Sequence, residues 1–327
     1  MMLTNFTQKL LENGAIQWRE VAEEWMIMMT GWLMAVTALI GLLVNFKVFI
    51  GYQSKQMSSF TLMCSSKTLS NSLICCGYLF YNAPISILNN FTEATLANML
   101  TNHSVSYSFY ILGPATQFLI TINRFLVIFF AAKSRNENHQ KMTLAALLLC
   151  WLAAFAITII GTEDDCMVIF VPELLNWWSG GCDDNLGNAV MEFAILCAIL
   201  SNVCNLIVLI KLLTNTYLQF QKKGIMDSVS TRRRRQRSQK LFLQNCIQDW
   251  IFAIDSVNST WLDNLWKNVV YSFFFNIYSN LSVHVIDGLV MLFFNYEKKP
   301  KKLQALTAKK SETSHFTGNT TGSIVRI

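Results

Sequence analysis

Seven long apolar runs constrain what this chain can fold into more than any other feature. They cover residues 26–50, 60–88, 105–130, 142–161, 187–213, 241–262 and 268–294. A helix needs about 20 mainly apolar residues to cross a bilayer, whereas a barrel strand needs about 10 residues of alternating polarity. Since a helix also satisfies its own backbone hydrogen bonds in lipid, the runs predict an all-α bundle of seven transmembrane helices.

The composition agrees with a membrane protein. Of the 327 residues, 53% are hydrophobic and only 14% are charged, which is too apolar for a soluble domain. The sixth run is the weakest, because Gln244, Gln248, Asp249 and Asp255 interrupt it, and hydropathy alone could count six spans. We expect one membrane domain over residues 26–296, between an N-terminal segment (1–25) and a tail (297–327).

The cationic residues predict the orientation of the bundle. With the N-terminus outside, the predicted inner loops and tail contain most lysines and arginines, including the run TRRRRQR at 231–237. The outer segments contain only Lys9, Arg19 and Lys267. Short cytoplasmic loops collect such residues, so we predict an outer N-terminus and a cytoplasmic tail. The arginine run could contact anionic lipids and an acidic partner surface, or act only as a topology anchor.

Glycosylation motifs and cysteines fit the same orientation. Asn-x-Ser/Thr acceptors occur on the predicted outer side at Asn5, Asn90, Asn102 and Asn258. Seven of the nine cysteines fall within predicted spans, while Cys166 and Cys182 share the loop after the fourth span. A disulfide between them would stabilise the protein by about 3 kcal/mol and would persist outside the cell, with two free thiols as the alternative.

Arg124 interrupts the apolar stretch LITINRFLVIFF at 119–130. A charge within hydrocarbon costs about 2.5–3.5 kcal/mol on insertion scales. If the third span starts outside near Val105, a rise of 1.5 Å per residue carries Arg124 roughly 28 Å inward, to the cytoplasmic face. There it can reach water or pair with neighbouring helices, as a functional residue or as an ordinary border arginine.

Several short stretches resemble a known receptor family. They are GLLVN at 41–45, SF at 59–60, Pro84, QFLITINRF at 117–125, Gln244 with Gln248, HVIDG at 284–288 and FN at 294–295. In this order, over roughly residues 30–296, they are similar to the nematode serpentine chemoreceptors of class X. More broadly, the chain resembles the rhodopsin-like G protein-coupled receptors.

This resemblance implies a chemosensory receptor in the plasma membrane of a sensory cell, with the sensory cilium as a candidate location. A small-molecule ligand would bind outside, and a heterotrimeric G protein would bind inside. Asn123, Arg124 and Phe125 would form the coupling triplet, and since the usual acid is Asn123 here, a resting lock would need hydrogen bonds. The usual cysteine at the start of the third span is missing, so Cys166 with Cys182 would substitute for that disulfide.

Polar residues of the seventh span fall on one helical face, because they recur at steps of four, four and three: Asn276, Asn280, His284 and Asp287. Polar groups facing lipid would lack partners, so we expect this stripe to point inward towards Asn45 and Asn71. The network could be a switch or a static set of hydrogen bonds. Lys67, in contrast, is expected to extend to the inner interface.

Candidate ligand contacts lie mainly near the predicted outer ends of the spans. Asp255 suits a polar or cationic ligand, although it could instead face headgroups or water. The other candidates are Tyr110, Gln117, Glu192, Trp261 and Tyr271. The aromatic members could alternatively form an interfacial belt.

Other functional classes fit the sequence less well. The four histidines are scattered and no glycine-rich phosphate loop occurs, so we expect no enzyme activity, metal or cofactor. An opsin would need a lysine in the seventh span, and residues 268–294 contain none. The arginine run precedes a membrane span, which argues against nucleic acid as a partner. A transporter or ligand-gated channel is the main alternative, but the sequence shows no internal repeat.

Overall fold

The computed structural model describes residues 21–54, 58–88, 96–130, 137–163, 166–179, 183–221, 229–262, 265 and 268–295. The compact unit Met1–Phe294 includes all seven predicted spans. The second unit, Asn295–Ile327, lies outside the described residues apart from Asn295.

Seven long helices follow the seven predicted runs, and the expected all-α fold is confirmed. Three are uninterrupted: α1 (Glu24–Gln53), α4 (Glu137–Ile160) and α5 (Asp183–Gln221). The other four contain a π-helical segment. In α2 (Ser59–Leu88) it is Tyr78–Asn82, and in α3 (Leu96–Phe129) it is Ser104–Ser108. In α6 (Val229–Val257, Asn258–Leu262) it ends the helix, and in α7 (Val269–Ser272, Phe273–Tyr278, Ser279–Asn295) it lies near the start.

Two helices begin earlier than hydropathy predicts. Helix α3 starts at Leu96 and not near residue 105, and α6 starts at Val229 and not near residue 241. Hydropathy detects only the apolar part of a helix, whereas polar residues can extend it beyond the lipid. The arginine run therefore lies within α6, although its side chains are largely outside the described set.

Five of the helices within the described part of the chain qualify as membrane spans by length and composition alone. Helices α2 and α6 are not among them. Both turn polar side chains inward, as Lys67 and Asn71 of α2 and Gln248 of α6 are fully buried. Their low hydropathy therefore reflects a polar bundle interior.

A short β-hairpin lies between α4 and α5, where the sequence predicts only a loop. Strand β1 (Val168–Val171) pairs antiparallel with β2 (Asn176–Ser179), and a 3₁₀ turn at Pro172–Leu174 joins them. Leu175 closes the turn in the left-handed region, at a φ of 49°. Every residue from 168 to 176 is buried. We call the end of the bundle that holds this hairpin the hairpin face, and the end that holds Arg124 the arginine face.

Two asparagines one turn apart in α3 hold both strands of the hairpin. The backbone N–H of Phe170 donates to Asn98 Oδ1 at 3.2 Å, and Trp177 Nε1 donates to Asn102 Oδ1 at 3.1 Å. Asn102 Nδ2 also donates to Asn98 Oδ1 at 2.6 Å. These buried bonds make the connection between α3 and the loop for which the sequence offers no cysteine at the start of the third span.

The position of Asn102 corrects one sequence-based expectation. Asn102 was predicted to be a glycosylation acceptor in an outer loop. The structure places it inside α3 with a fully buried side chain whose nitrogen and oxygen are both hydrogen-bonded. A glycan does not fit on this amide, because it would replace a buried donor and need room that the packing lacks.

We expect Asn102→Ala to destabilise the folded protein by about 1–3 kcal/mol, because it removes a buried side chain and leaves the half-buried Trp177 indole N–H without its acceptor. Thermal unfolding of the detergent-purified protein measures the effect. In a double-mutant cycle, the same change should cost less in a Trp177→Phe background, where no donor is left unpaired. Strictly additive effects would contradict the proposed contact.

Candidate functional site

An ion pair between Lys67 and Asp287 lies inside the bundle. Lys67 Nζ of α2 is 2.8 Å from Asp287 Oδ1 of α7, and both side chains are 0% exposed. The expectation that Lys67 extends to the membrane interface is therefore wrong. Asp287 supplies a compensating charge within the bundle, so the ammonium does not need to reach water.

Two further helices supply hydrogen bonds to this pair. Lys67 Nζ donates to Gln117 Oε1 of α3 at 2.7 Å. Asp287 accepts from Gln248 Nε2 of α6 at 2.8 Å and from Asn71 Nδ2 of α2 at 2.7 Å. The two buried charges thus connect α2, α3, α6 and α7. Gln117, a predicted ligand contact, belongs to this cluster.

Asn71 extends the cluster to α1 and to His284. Its Nδ2 also donates to Asn45 Oδ1 at 3.3 Å, and its Oδ1 lies 2.9 Å from His284 Nδ1. Because the amide nitrogen of Asn71 serves two acceptors, its oxygen must accept, which assigns the ring proton of His284 to Nδ1. We call Asn45, Lys67, Asn71, Gln117, Gln248, His284 and Asp287 the central polar network.

A glycine permits the close approach of α1 to α7 in this network. Asn45 Nδ2 donates to the backbone carbonyl of His284 at 3.1 Å. A Cβ atom at Gly288 would lie only 2.6–2.8 Å from the side-chain atoms of Asn45. Any side chain at position 288 would therefore have to displace Asn45.

The predicted polar stripe of α7 divides into two groups. His284 and Asp287 join the central polar network together with Asn45 and Asn71. Asn280 Oδ1 accepts from the Tyr78 hydroxyl at 3.1 Å, and Asn276 Nδ2 donates to Asn176 Oδ1 of the hairpin at 2.9 Å. The two groups lie at different depths, because Asn276 and Asn280 are nearer the start of α7, at the hairpin end, and His284 and Asp287 lie further along the helix.

Arg124 joins three helices at the arginine face. Its Nη1 donates to the backbone carbonyl of Leu241 in α6, and its guanidinium carbon lies 5.4 Å from the centroid of the Phe60 ring in α2. Asn123 is buried, and Phe125 stacks on Phe129 with centroids 4.5 Å apart. The contact between α3 and α6 is therefore a hydrogen bond to the main chain, with Asn123 in place of an acid.

Asp255 is buried near the hairpin face. Asp255 is only 2% exposed, which rules out the alternative that its side chain faces headgroups or water. Asp255 Oδ1 accepts from Ser279 Oγ of α7 at 2.6 Å. The Tyr110 hydroxyl of α3 lies 3.5 Å from Oγ of the adjacent Ser256. Helices α3, α6 and α7 therefore meet beside Asp255.

Tyr110 connects Asp255 to the central polar network. Its ring packs edge-on against His284, with centroids 6.1 Å apart, and against Phe252, at 6.3 Å. The Phe252 ring centroid is also 5.0 Å from Lys67 Nζ, within the range of a cation–π contact. One tyrosine side chain therefore touches both polar clusters.

The remaining ligand candidates do not join Asp255. Glu192 lies on the exposed side of α5, and Trp261 is 70% exposed. Tyr271 packs on Phe275, with centroids 4.3 Å apart, and lines an open groove of about 430 Å³ along the start of α7. Rotation about each helix axis separates these side chains from Asp255, although all lie towards the same end.

The predicted modification sites are only partly visible. Cys166 is buried just before β1, and seven other cysteines in the described ranges are free thiols. Asn258 is half-buried, and its Nδ2 donates to Ser279 Oγ at 2.9 Å. Cys182, Asn5 and Asn90 lie outside the described residues. Where the structure describes the chain, no group of three His, Cys, Asp or Glu side chains could hold a metal.

Sequence reasoning missed Lys67 and Ser279 as members of these clusters. Lys67 precedes Asn71 by four residues and therefore shares its face of α2. Asp287 is the one acid in the seventh predicted span. These two facts together could have indicated an internal ion pair. Nothing in the sequence marks Ser279, which a π-helical segment turns towards Asp255.

Comparison with known proteins places the chain in a family. The family model described as "Serpentine type 7TM GPCR chemoreceptor Srx" matches residues 36–295. The protein belongs to the Srx chemoreceptor family. This Srx protein is therefore a G protein-coupled receptor of the multi-pass membrane class, as the resemblance of the sequence implies.

The fold of the Srx protein is also that of a solved receptor. The crystal structure of squid rhodopsin matches it with a TM-score of 0.70 and 12% sequence identity, covering 94% of this chain and 95% of that chain. At this identity, the likeness concerns the fold alone. No curated protein sequence matches the Srx protein.

We expect Lys67→Met to destabilise the Srx protein by about 3–5 kcal/mol, because it leaves the Asp287 carboxylate buried without its cation. The double variant Lys67→Met/Asp287→Asn should recover most of this loss, since asparagine is neutral and can still bond to Asn71 and Gln248. Thermal unfolding in detergent compares the three proteins. If Lys67→Met unfolds at the wild-type temperature, the pair does not stabilise the bundle.

Proposed function

We propose that this Srx receptor binds a small-molecule cue at the hairpin face and transmits the signal to a heterotrimeric G protein at the arginine face. One observation carries the proposal. Asp255, Gln248 and Leu241 occur seven residues apart, so they share one face of α6 at intervals of two turns. The same face thus carries Asp255, contributes Gln248 to the central polar network and contacts Arg124 through the Leu241 carbonyl.

Tyr110 offers the route by which a ligand affects this face. The Tyr110 hydroxyl lies next to Asp255, at Ser256, and its ring packs against His284, so a ligand that contacts Asp255 displaces Tyr110. His284 bonds to Asn71, and Asn71 bonds to Asp287. A change in the position of Tyr110 therefore changes the hydrogen bonding of Asp287, to which Gln248 donates. The ligand shifts the receptor only by as much as it favours one arrangement over the other.

The response at the arginine face is a change in α6. When Gln248 leaves Asp287, rotation or tilt of α6 moves the Leu241 carbonyl away from Arg124. Arg124 is then free to engage the partner protein, and the surface between α3 and α6 opens. This assigns Asn123, Arg124 and Phe125 to coupling, and it makes the central polar network a switch between two packings.

We place the receptor in the plasma membrane, with the sensory cilium as its candidate location. The hairpin face and residues 1–25 lie outside, and residues 297–327 form a cytoplasmic tail. The distribution of lysines and arginines supports this orientation. Outside the cell, Cys166 pairs with Cys182, and Asn5, Asn90 and Asn258 are the glycan acceptors. The arginine run contacts anionic lipids of the inner leaflet. As a receptor, the protein has no enzymatic activity.

Replacement of Arg124 tests the coupling site. We expect Arg124→Ala to abolish the agonist response in a cell assay of G-protein activation while surface expression is retained, because the guanidinium has no substitute in the partner contact. Lys211→Ala is a matched control, since Lys211 is a cation whose Nζ lies 5.7 Å from the Phe129 ring at the same face. Full signalling by Arg124→Ala, or equal loss in both variants, would count against the assignment.

Glycan mapping tests the orientation. We expect the glycosidase-sensitive gel shift to disappear when Asn5, Asn90, Asn102 and Asn258 are all changed to Gln. Asn102→Gln alone should leave the shift unchanged, because this side chain is buried. Antibody access to a tag after residue 327 should require permeabilised cells. A tag accessible on intact cells would reverse the proposed orientation.

A further inference from the structure

We propose that the cue is a small organic amine and that Asp255 binds its ammonium group. This inference rests on the proposed function as a ligand receptor and adds the chemical class of the ligand. It starts from a charge that the protein itself leaves without a counter-charge, at the end of the bundle where the ligand is expected.

Asp255 has no cationic partner in the described part of the chain. Its carboxylate accepts from the Ser279 hydroxyl, and the Tyr110 hydroxyl lies beside it, 3.5 Å from Ser256 Oγ. The buried cation Lys67 is already paired with Asp287. A buried carboxylate without a cation costs stability unless it takes up a proton. An uncompensated acid buried between helices at this end of the bundle is therefore a candidate binding residue, because a cationic ligand would offset its cost.

The surrounding groups accept hydrogen bonds and offer aromatic faces. His284 Nε2 is buried and has no hydrogen-bond partner among the described residues, and because Nδ1 carries the proton, Nε2 is an acceptor. The rings of Tyr110 and Phe252 pack on this imidazole. An ammonium group has three donors and no acceptor, and aromatic rings attract it. The cluster therefore favours an amine over an alcohol, an aldehyde or an acid.

Irregular backbone surrounds the same three residues. The π-helical segment Asn258–Leu262 begins three residues after Asp255, Ser104–Ser108 ends two residues before Tyr110, and Phe273–Tyr278 ends directly before Ser279. Such segments occur frequently at functional sites. Here, each of the three helices has a π-helical segment next to its residue at this position: Asp255 in α6, Tyr110 in α3 and Ser279 in α7.

Ligand-dependent thermal unfolding tests the proposal without any G protein. The purified receptor in detergent is titrated with butylamine, hexylamine and phenethylamine, and with the alcohol of matching chain for each. We expect at least one amine to raise the unfolding temperature of the wild type, and its alcohol to have no effect. Asp255→Asn should weaken the amine affinity roughly 10- to 100-fold, as expected for loss of a charge-assisted bond.

Two comparisons separate ligand binding from folding. Glu192→Gln removes one exposed acid from the corresponding half of α5 and should bind the amine with wild-type affinity. Without ligand, Asp255→Asn should unfold at or above the wild-type temperature, because it removes an uncompensated charge but keeps an acceptor for Ser279. A lower unfolding temperature would show that Asp255 serves the fold, and would overturn the proposal.

The other outcomes are also decisive. Stabilisation by none of the amines, equal stabilisation by amine and alcohol, or equal loss in Glu192→Gln would overturn the amine assignment. Stabilisation by sodium chloride but not by the amines would make the site one for an inorganic cation, which also overturns it. Amine binding without G-protein activation would keep this proposal and reject the proposed function. G-protein activation by a neutral cue, without amine binding, would keep the proposed function and reject the amine assignment.

Discussion

The arrangement of the bundle depends on a buried ion pair, Lys67 with Asp287. Two charges without water are tolerable only when their geometry is good and their remaining hydrogen-bond sites are filled. Gln117, Asn71 and Gln248 fill those sites, so four helices must meet at one depth and in one rotation. Apolar side chains alone would allow many such rotations, because lipid and helix surface are similarly apolar. The pair therefore specifies which faces of α2, α3, α6 and α7 turn inward.

The same constraint explains how distant ends of the receptor can influence each other. Most members of the central polar network have a defined partner, and breaking one of these buried bonds is costly. In the proposed mechanism, the network therefore changes from one set of bonds to another. Helix α6 contributes one residue to this network, and further along the same face it meets Asp255 and Arg124. A rearrangement in the middle must therefore change the contacts at both ends.

Much of this organisation could be predicted from the sequence. Apolar runs indicated the seven helices, and helical spacing with the cost of polar groups in lipid brought together Asn45, Asn71, His284 and Asp287. Lys67 was misjudged because its distance from the helix end was considered and the acid on another helix was not. Asn276 and Asn280 bond to other partners, because helical spacing predicts a shared face and not which groups lie opposite at each depth. The hairpin's strands of four residues are too short for a periodic signal. Glu192 was expected to contact the ligand, but the direction of its side chain depends on the rotation of α5, which only packing determines.

The bond from Arg124 to Leu241 has a consequence for how sensitivity can vary among receptors of this design. Its acceptor is a main-chain carbonyl, so every residue type at position 241 presents the same atom. A substitution at position 241 therefore does not remove the acceptor of Arg124, whereas a substitution would remove a side-chain carboxylate. In the proposed mechanism, basal activity therefore depends on the tilt and rotation of α6, which are set by residues that pack elsewhere along this helix. The residues that set the strength of this contact are therefore spread along the whole of α6 and are not confined to position 241.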